Sequence, residues 1–347
     1  MANPYVFIVG CQRSGTTLLR RMVDAHPQIA IMRESHWIPR FFEDRTGLTS
    51  EGFVTPELIP ELLRHPKFAR LNVGEEELLK LLETGKTVPY ADFVSGVFDL
   101  YGQQRGKSLV GDKTPAYVRS LGTLYSLWPR VRFVHLIRDG RDVCLSVGDW
   151  PKAQQKKPGM FATWKDDWVS TTALFWELSV QLGRQAGNLL GLKLYHEIRY
   201  ESLVSSPAET CAALCAFLGL PYDEAVLRFH EGRTKDDPSL SVKRAWRPIT
   251  PGLRDWRLQM RAEDVEPFEA AAGRLLDELG YPRAVLRPRP EALEHASGIR
   301  RRLAEDEKWL GIIPQARAGT AEPASRHSGS LAKNQVAGGS LEGRAQT

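Results

Sequence analysis

The sequence predicts an α/β fold: a parallel sheet flanked by helices and carrying helical insertions. Short apolar, β-branched runs occur at YVFIVG (Tyr5 to Gly10) and VRFVHLI (Val131 to Ile137), with a third candidate at LKLYHEIRY (Leu192 to Tyr200). Runs of this kind suit parallel strands, which are covered by helices on both faces and need no polar alternation. Each run is followed by a segment of helical period: TTLLRRMVDAHP ending at Pro27, DVCLSVGDW after Gly140-Arg141, and Pro207 to Leu218. Strands that alternate with helices require crossover connections and therefore a parallel sheet.

The remaining segments fit around that frame. Phe41 to Arg105 is of mostly helical pattern, punctuated by Pro56, Pro60, Pro66 and Pro89, and reads as a helical insertion. The polar, basic stretch Pro151 to Phe161 reads as a loop before a long helix carrying Trp164, Trp168 and Trp176. Further helices are expected over Arg261 to Gly280 and Glu291 to Trp309. Beyond Pro314 the composition turns to Ala, Gly, Ser and scattered charge, too little apolar surface to offset the entropy of ordering. The expected organisation is one domain over residues 1–314 and a disordered tail over 315–347.

With 347 residues, 42% hydrophobic and 26% charged, the chain has the composition of a folded globular protein. A net charge of +5 suits an anionic ligand but is too small to argue for nucleic acid as a partner. Cys11, Cys144, Cys211 and Cys215 lack the spacing of a zinc ribbon or a disulfide framework, so a reducing compartment and a cytoplasmic location are expected. Cys211 and Cys215, one helical turn apart in an apolar run, read as core. No run of about 18 apolar residues is present, so no membrane span is expected.

Chemistry concentrates in Gly10-Cys11-Gln12-Arg13-Ser14-Gly15-Thr16-Thr17, set between the first strand and the first helix. Successive backbone N–H groups of such a loop, with the helix N-terminus behind them, make an anion cradle. Gly10 and Gly15 let the backbone approach the ligand, and Thr16 and Thr17 add hydroxyl donors. The loop is P-loop-like but carries Thr16 where a nucleotide P-loop has its lysine, and its cation, Arg13, comes earlier. VRFVHLI is followed by Arg138 rather than by a magnesium-binding carboxylate. A metal-dependent nucleotide or small-molecule kinase is disfavoured, and no metal is expected at the site.

These motifs resemble the sulfotransferases that use 3′-phosphoadenosine 5′-phosphosulfate (PAPS) as donor, and are most similar to the protein-tyrosine sulfotransferase branch and its bacterial relatives. Arg13-Ser14-Gly15-Thr16-Thr17-Leu18 resembles that family's loop for the 5′-phosphosulfate, and Ile137-Arg138-Asp139-Gly140-Arg141 with Ser146 resembles its 3′-phosphate segment. Arg141 is read equally well as half of a local ion pair with Asp139. The resemblance implies Tyr200 beside the adenine, Lys113 of Gly111-Asp112-Lys113-Thr114-Pro115 at the reacting centre, and a loop over the donor to which Ser241 and Arg247 belong. It implies a catalytic base at Glu34, in a segment ending Ile38-Pro39-Arg40 and 34 − 13 = 21 residues past Arg13. His36 is the competing base, since other branches use histidine; it stands where the tyrosine branch has a peptide-binding arginine, whereas Arg40 matches a second one. The expected activity is sulfonate transfer from PAPS to a hydroxyl acceptor (tyrosyl, sugar or small alcohol), with Glu34 as base and Arg13, Lys113 and Ser241 stabilising the transferring group. A non-catalytic PAPS-binding protein is the other alternative. His26 and His135 read as structural.

Overall fold

In a computed structural model of the chain the described residues are 4–82, 87–149, 161–231, 248–250, 252 and 254–313. Ser241, Arg247, the expected tail and nearly all of the 151–161 loop lie outside them. Five strands, β1 (Val6–Gly10), β2 (Ile29–Arg33), β3 (Leu109–Lys113), β4 (Arg132–Ile137) and β5 (Tyr195–Arg199), form one parallel sheet in the order β2-β3-β1-β4-β5. The α/β expectation holds, and the three expected strands are β1, β4 and β5.

The sequence reading missed β2 and β3. IAIMR follows the first helix after a turn of only three residues, His26 to Gln28, and LVGDK contains the poor strand formers Gly111, Asp112 and Lys113. Gly111 is required there: a Cβ would lie 2.2 Å from the Val6 carbonyl of the neighbouring strand.

Alternate residues of β1 serve two cores. Phe7 and Val9 pack with Trp37, Phe98, Trp128 and Phe133 on one face, and Val6 and Ile8 pack with Leu19, Met22, Leu136 and Leu214 on the other. The crossover α1 (Thr16–Ala25) covers the second face. Between β2 and β3 run α2 (Ile38–Glu43), α3 (Leu58–Arg64), α4 (Glu75–Lys80) and α5 (Tyr90–Gln103), which make up the helical insertion and cover the first face. Then come α6 (Leu121–Leu127), α7 (Gly140–Gly148) and the long α8 (Trp168–Leu190).

The long helix begins at Trp168; Trp164 sits in a preceding 3-10 turn, Ala162–Lys165. After β5 follow α9 (Tyr200–Ser205), α10 (Pro207–Phe217), α11 (Trp256–Gln259), α12 (Ala262–Glu278), α13 (Pro290–Ala304) and α14 (Glu307–Leu310). The single helix expected over Glu291 to Trp309 is thus two, because Asp306 leaves helical geometry to accept the Lys308 and Trp309 N–H groups at 2.8 and 3.1 Å. Among the described residues no helix is long and apolar enough to cross a membrane.

Candidate active site

The carboxyl ends of β1, β3 and β4 and the end of β2 converge on one rim, where ligands of open parallel sheets bind. The loop after β1 is held by backbone geometry that few residues tolerate. Gly15, immediately before α1, has φ +96°, and a Cβ there would lie 2.5 Å from the Tyr200 ring, so the ring packs its Cδ2–Cε2 edge against the loop. Arg13, a non-glycine, is held at φ 75°, strain of the kind that concentrates at ligand sites.

Three guanidinium groups meet at this loop. Arg13 Nε donates to the Ser146 hydroxyl at 3.1 Å. Arg138 lies 4.2 Å from the centroid of the Tyr200 ring and reaches Asp142 at 3.4 Å. Burial, together with the charges of Arg254 and Arg138, pushes the Arg13 pKa below its ordinary value. Arg254, paired with Asp149 across the rim, completes the set and was not singled out from the sequence. Inside the cluster the Ser14 hydroxyl and Arg138 Nε are buried without a hydrogen-bond partner. Buried donors without acceptors among mutually repelling cations are the complement of a multiply charged anion.

Arg141 stands apart from this group. It is fully buried, forks onto Asp139, bonds Glu269 at 2.6 Å and the Pro282 carbonyl at 2.9 Å, and stacks on Trp256 at 3.6 Å. The structural reading of this arginine is the one the geometry supports: it ties α7 to α12.

The second half of the site joins β2 to β3. Glu34 N–H donates to the Lys113 carbonyl at 3.0 Å, extending the ladder by one residue past Arg33. The Glu34 carboxylate accepts from Lys113 Nζ at 2.6 Å on one oxygen and faces His36 Nε2 at 3.3 Å on the other. Lys113 Nζ also donates to the Thr17 hydroxyl at 3.3 Å, which links this pair to the phosphate-type loop. Burial alone would raise the Glu34 pKa, but the His36 hydrogen bond and the Lys113 charge outweigh it and hold the carboxyl well below the usual range. Lys113, only 3% exposed, has its pKa lowered by burial despite the pull of Glu34.

His36 has φ 60°, a left-handed conformation that aims its ring back at Glu34. Arg40, exposed on α2, lies 5.4 Å from the Phe41 ring centroid, and His65 packs edge-on to the same ring at 5.9 Å. Burial and the charges of Arg40, His36 and Lys67 lower the His65 pKa, so this side of the rim is basic. The structure therefore gathers Arg13, Ser14, Gly15, Thr17, Arg138, Ser146 and Tyr200 with Lys113, Glu34 and His36. Thr16 and Leu18 start α1 behind the loop, and Leu18 N–H bonds the Gly15 carbonyl at 2.9 Å.

Fold and site together define an α/β protein built around an anion loop. The chain belongs to the sulfotransferase family, whose pattern matches residues 4–224. It is 26% identical to protein-tyrosine sulfotransferase A of Caenorhabditis elegans over 244 residues, 69% of this chain and 56% of that protein. It is 25% identical to protein-tyrosine sulfotransferase 1 of Danio rerio over 316 residues, 86% of this chain and 79% of that one. The chain thus spans little more than half of the first relative and about four fifths of the second. The sulfotransferase domain of the Synechococcus olefin synthase has a similar structure, with a TM-score of 0.52 and 25% identity over 81% of this chain and 97% of that domain.

Proposed function

We propose that the protein moves a sulfonate from PAPS to a hydroxyl acceptor by in-line transfer, with Glu34 as the base. The observation that carries this reading is the pair of buried, unpartnered donors, Ser14 Oγ and Arg138 Nε, within the Arg13, Arg138 and Arg254 cluster, Ser14 lying three residues before Thr17 of the Glu34–Lys113–Thr17 link. Ser14, Gly15, Thr16 and Thr17 with Arg13 hold the 5′-phosphosulfate, and Leu18, its N–H engaged by the Gly15 carbonyl, only starts the helix behind them; Arg138 and Ser146 hold the 3′-phosphate; Tyr200 lies against the adenine. Ser241 and Arg247 close over the donor in the same proposal. The acceptor oxygen forms a bond to sulfur as the sulfur–oxygen bond to the 5′-phosphate breaks, and the hydroxyl proton passes to Glu34. Charge that develops on the bridging oxygen is met by Lys113 and Arg13.

In this proposal a carboxylate with a depressed pKa serves as base because its environment changes during transfer. As Lys113 turns from Glu34 toward the transferring group, Glu34 keeps only His36 of its two partners, and burial then weighs more heavily and raises its proton affinity at the moment of transfer. Acceptors are hydroxyl compounds of the tyrosyl, sugar or small-alcohol type, and His36 and Arg40 on the basic side of the rim contact them. The cytoplasmic location expected from the cysteines belongs to the same proposal and is tested by cell fractionation.

Calorimetric titration with the reaction product 3′-phosphoadenosine 5′-phosphate (PAP), set against ADP with magnesium, tests the donor assignment. Tight PAP binding that collapses in Arg138→Ala supports it. Preference for ADP with magnesium, or equal PAP binding by the variant, overturns it in favour of a kinase.

A further inference from the structure

The turn that carries Glu34 is fastened from below by a carboxylate the reaction does not use. Asp112 is the penultimate residue of β3, in register with Phe7 of β1 and Met32 of β2, and it is wholly buried on the apolar face of the sheet opposite Lys113. Its Oδ2 accepts the Ser35 N–H at 3.2 Å, one residue after Glu34 and one before His36 with its left-handed φ. Ser35 Oγ lies 2.6 Å from the Tyr117 hydroxyl, and that hydroxyl accepts the Ile38 N–H at 3.1 Å. Either hydroxyl can donate in the Ser35–Tyr117 contact, because the Tyr117 oxygen that accepts the Ile38 N–H keeps its own proton and a further acceptor site. Asp112 and Tyr117 thus form a relay that holds the Ser35 and Ile38 N–H groups, one and four residues past the base.

We infer that Asp112 is the positioning residue for the base, and that its ionisation sets the acid limit of activity by fastening the Glu34 turn. This rests on the reading of Glu34 as base. An ionised carboxylate is costly on an apolar face, and a strand gains nothing from one there unless its charge is used. Burial pushes the Asp112 pKa up to about 6, against hydrogen bonds from Ser35 and the Lys113 charge, whereas Glu34 is held well below the usual range. The groups that face Asp112 are Lys113 and Thr114 on its own strand, Ser35 on the turn after β2, and Tyr117 below, with Tyr90 beyond it on the Ile38 carbonyl. Falling pH thus protonates Asp112 before Glu34, which removes the charge that holds the Ser35 N–H.

The test compares wild type, Asp112→Asn and Tyr117→Phe in two measurements. In the first, kcat for sulfonate transfer is followed from pH 5 to 8. Wild type is expected to lose activity with a midpoint near pH 6. Asp112→Asn is expected to be flat and about tenfold to a hundredfold slower at pH 7.5, the range a small misplacement of a reacting group produces, with PAP affinity within about twofold of wild type. Tyr117→Phe, which cuts the relay but keeps the carboxylate, is expected to be slower and to keep the acid limb.

In the second, amide hydrogen exchange over the Glu34 to Ile38 peptide, corrected for intrinsic rates, is read at pH 5 and pH 7.5. Wild type is expected to lose protection at the lower pH and Asp112→Asn to lack it at both. Wild-type kcat in Asp112→Asn, or an acid limb that persists near pH 6, overturns the inference. Full activity in Glu34→Gln would overturn the base assignment instead, and the exchange measurement still decides whether Asp112 holds the turn.

Discussion

Gly15→Ala probes the packing of the anion loop on Tyr200. The new Cβ would lie 2.5 Å from Tyr200 Cδ2 and 2.6 Å from Cε2, so the ring must retreat by about 1 Å to reach ordinary van der Waals contact. Retreat pulls the ring from Arg138, 4.2 Å from its centroid, a contact worth about 1 kcal/mol. Alanine at φ +96° adds a backbone cost of about 1–2 kcal/mol. The expected destabilisation is about 2–3 kcal/mol in urea unfolding, with PAP affinity reduced at least tenfold, since both the loop backbone and the adenine platform move. In the double variant Gly15→Ala/Tyr200→Ala the added cost of the Gly15 change is expected to fall to the backbone share of about 1–2 kcal/mol. An unfolding curve and PAP isotherm for Gly15→Ala that match wild type would refute the described packing.

Lys113→Met removes the cation at the reacting centre. Single-turnover transfer is expected to slow by about a hundredfold or more, while unfolding free energy changes little, because a buried charge is removed and Glu34, partly exposed, regains water. Arg254→Ala is expected to weaken PAP binding about tenfold and to flatten its dependence on salt between 0.05 and 0.5 M, about the range in which screening changes most; calorimetry at both salt concentrations reads this. Asp112 gives a stability prediction with a definite sign. Its folded pKa of about 6 lies above the ordinary aspartate value of 3.8, so the fold binds the proton more tightly and loses stability as pH rises from about 4 through 6. The loss amounts to about 3 kcal/mol. Urea unfolding of Asp112→Asn is expected to lack this pH dependence, and a wild-type dependence in the variant would contradict it.

The parts of the site that depend on local sequence were readable in advance. The loop from Gly10 to Leu18 needs a strand before it, a helix after it and glycines at fixed places, and all three are contiguous in the chain. Glu34 and Lys113 were each legible in a short motif, although their 2.6 Å contact joins positions 79 residues apart. Contacts set by sheet register were not readable. LVGDK shows no strand pattern, so nothing in the sequence announced that Asp112 lies beneath Ser35. Arg254 meets Asp149 across 105 residues, and the only nearby signal in the sequence was the donor loop to which Ser241 and Arg247 belong. Arg141 was ambiguous because its decisive partner, Glu269, lies 128 residues further on in α12.

The most direct measurement is single-turnover formation of PAP and sulfonated product from PAPS, with tyrosyl peptide, sugar and small-alcohol acceptors, in wild type and Glu34→Gln. Acceptor-dependent PAP release by wild type, and its loss in Glu34→Gln with PAP affinity unchanged, is the predicted result. Turnover that survives in Glu34→Gln, or no acceptor-dependent PAP release by a wild type that binds PAP tightly, would contradict transfer by a glutamate base.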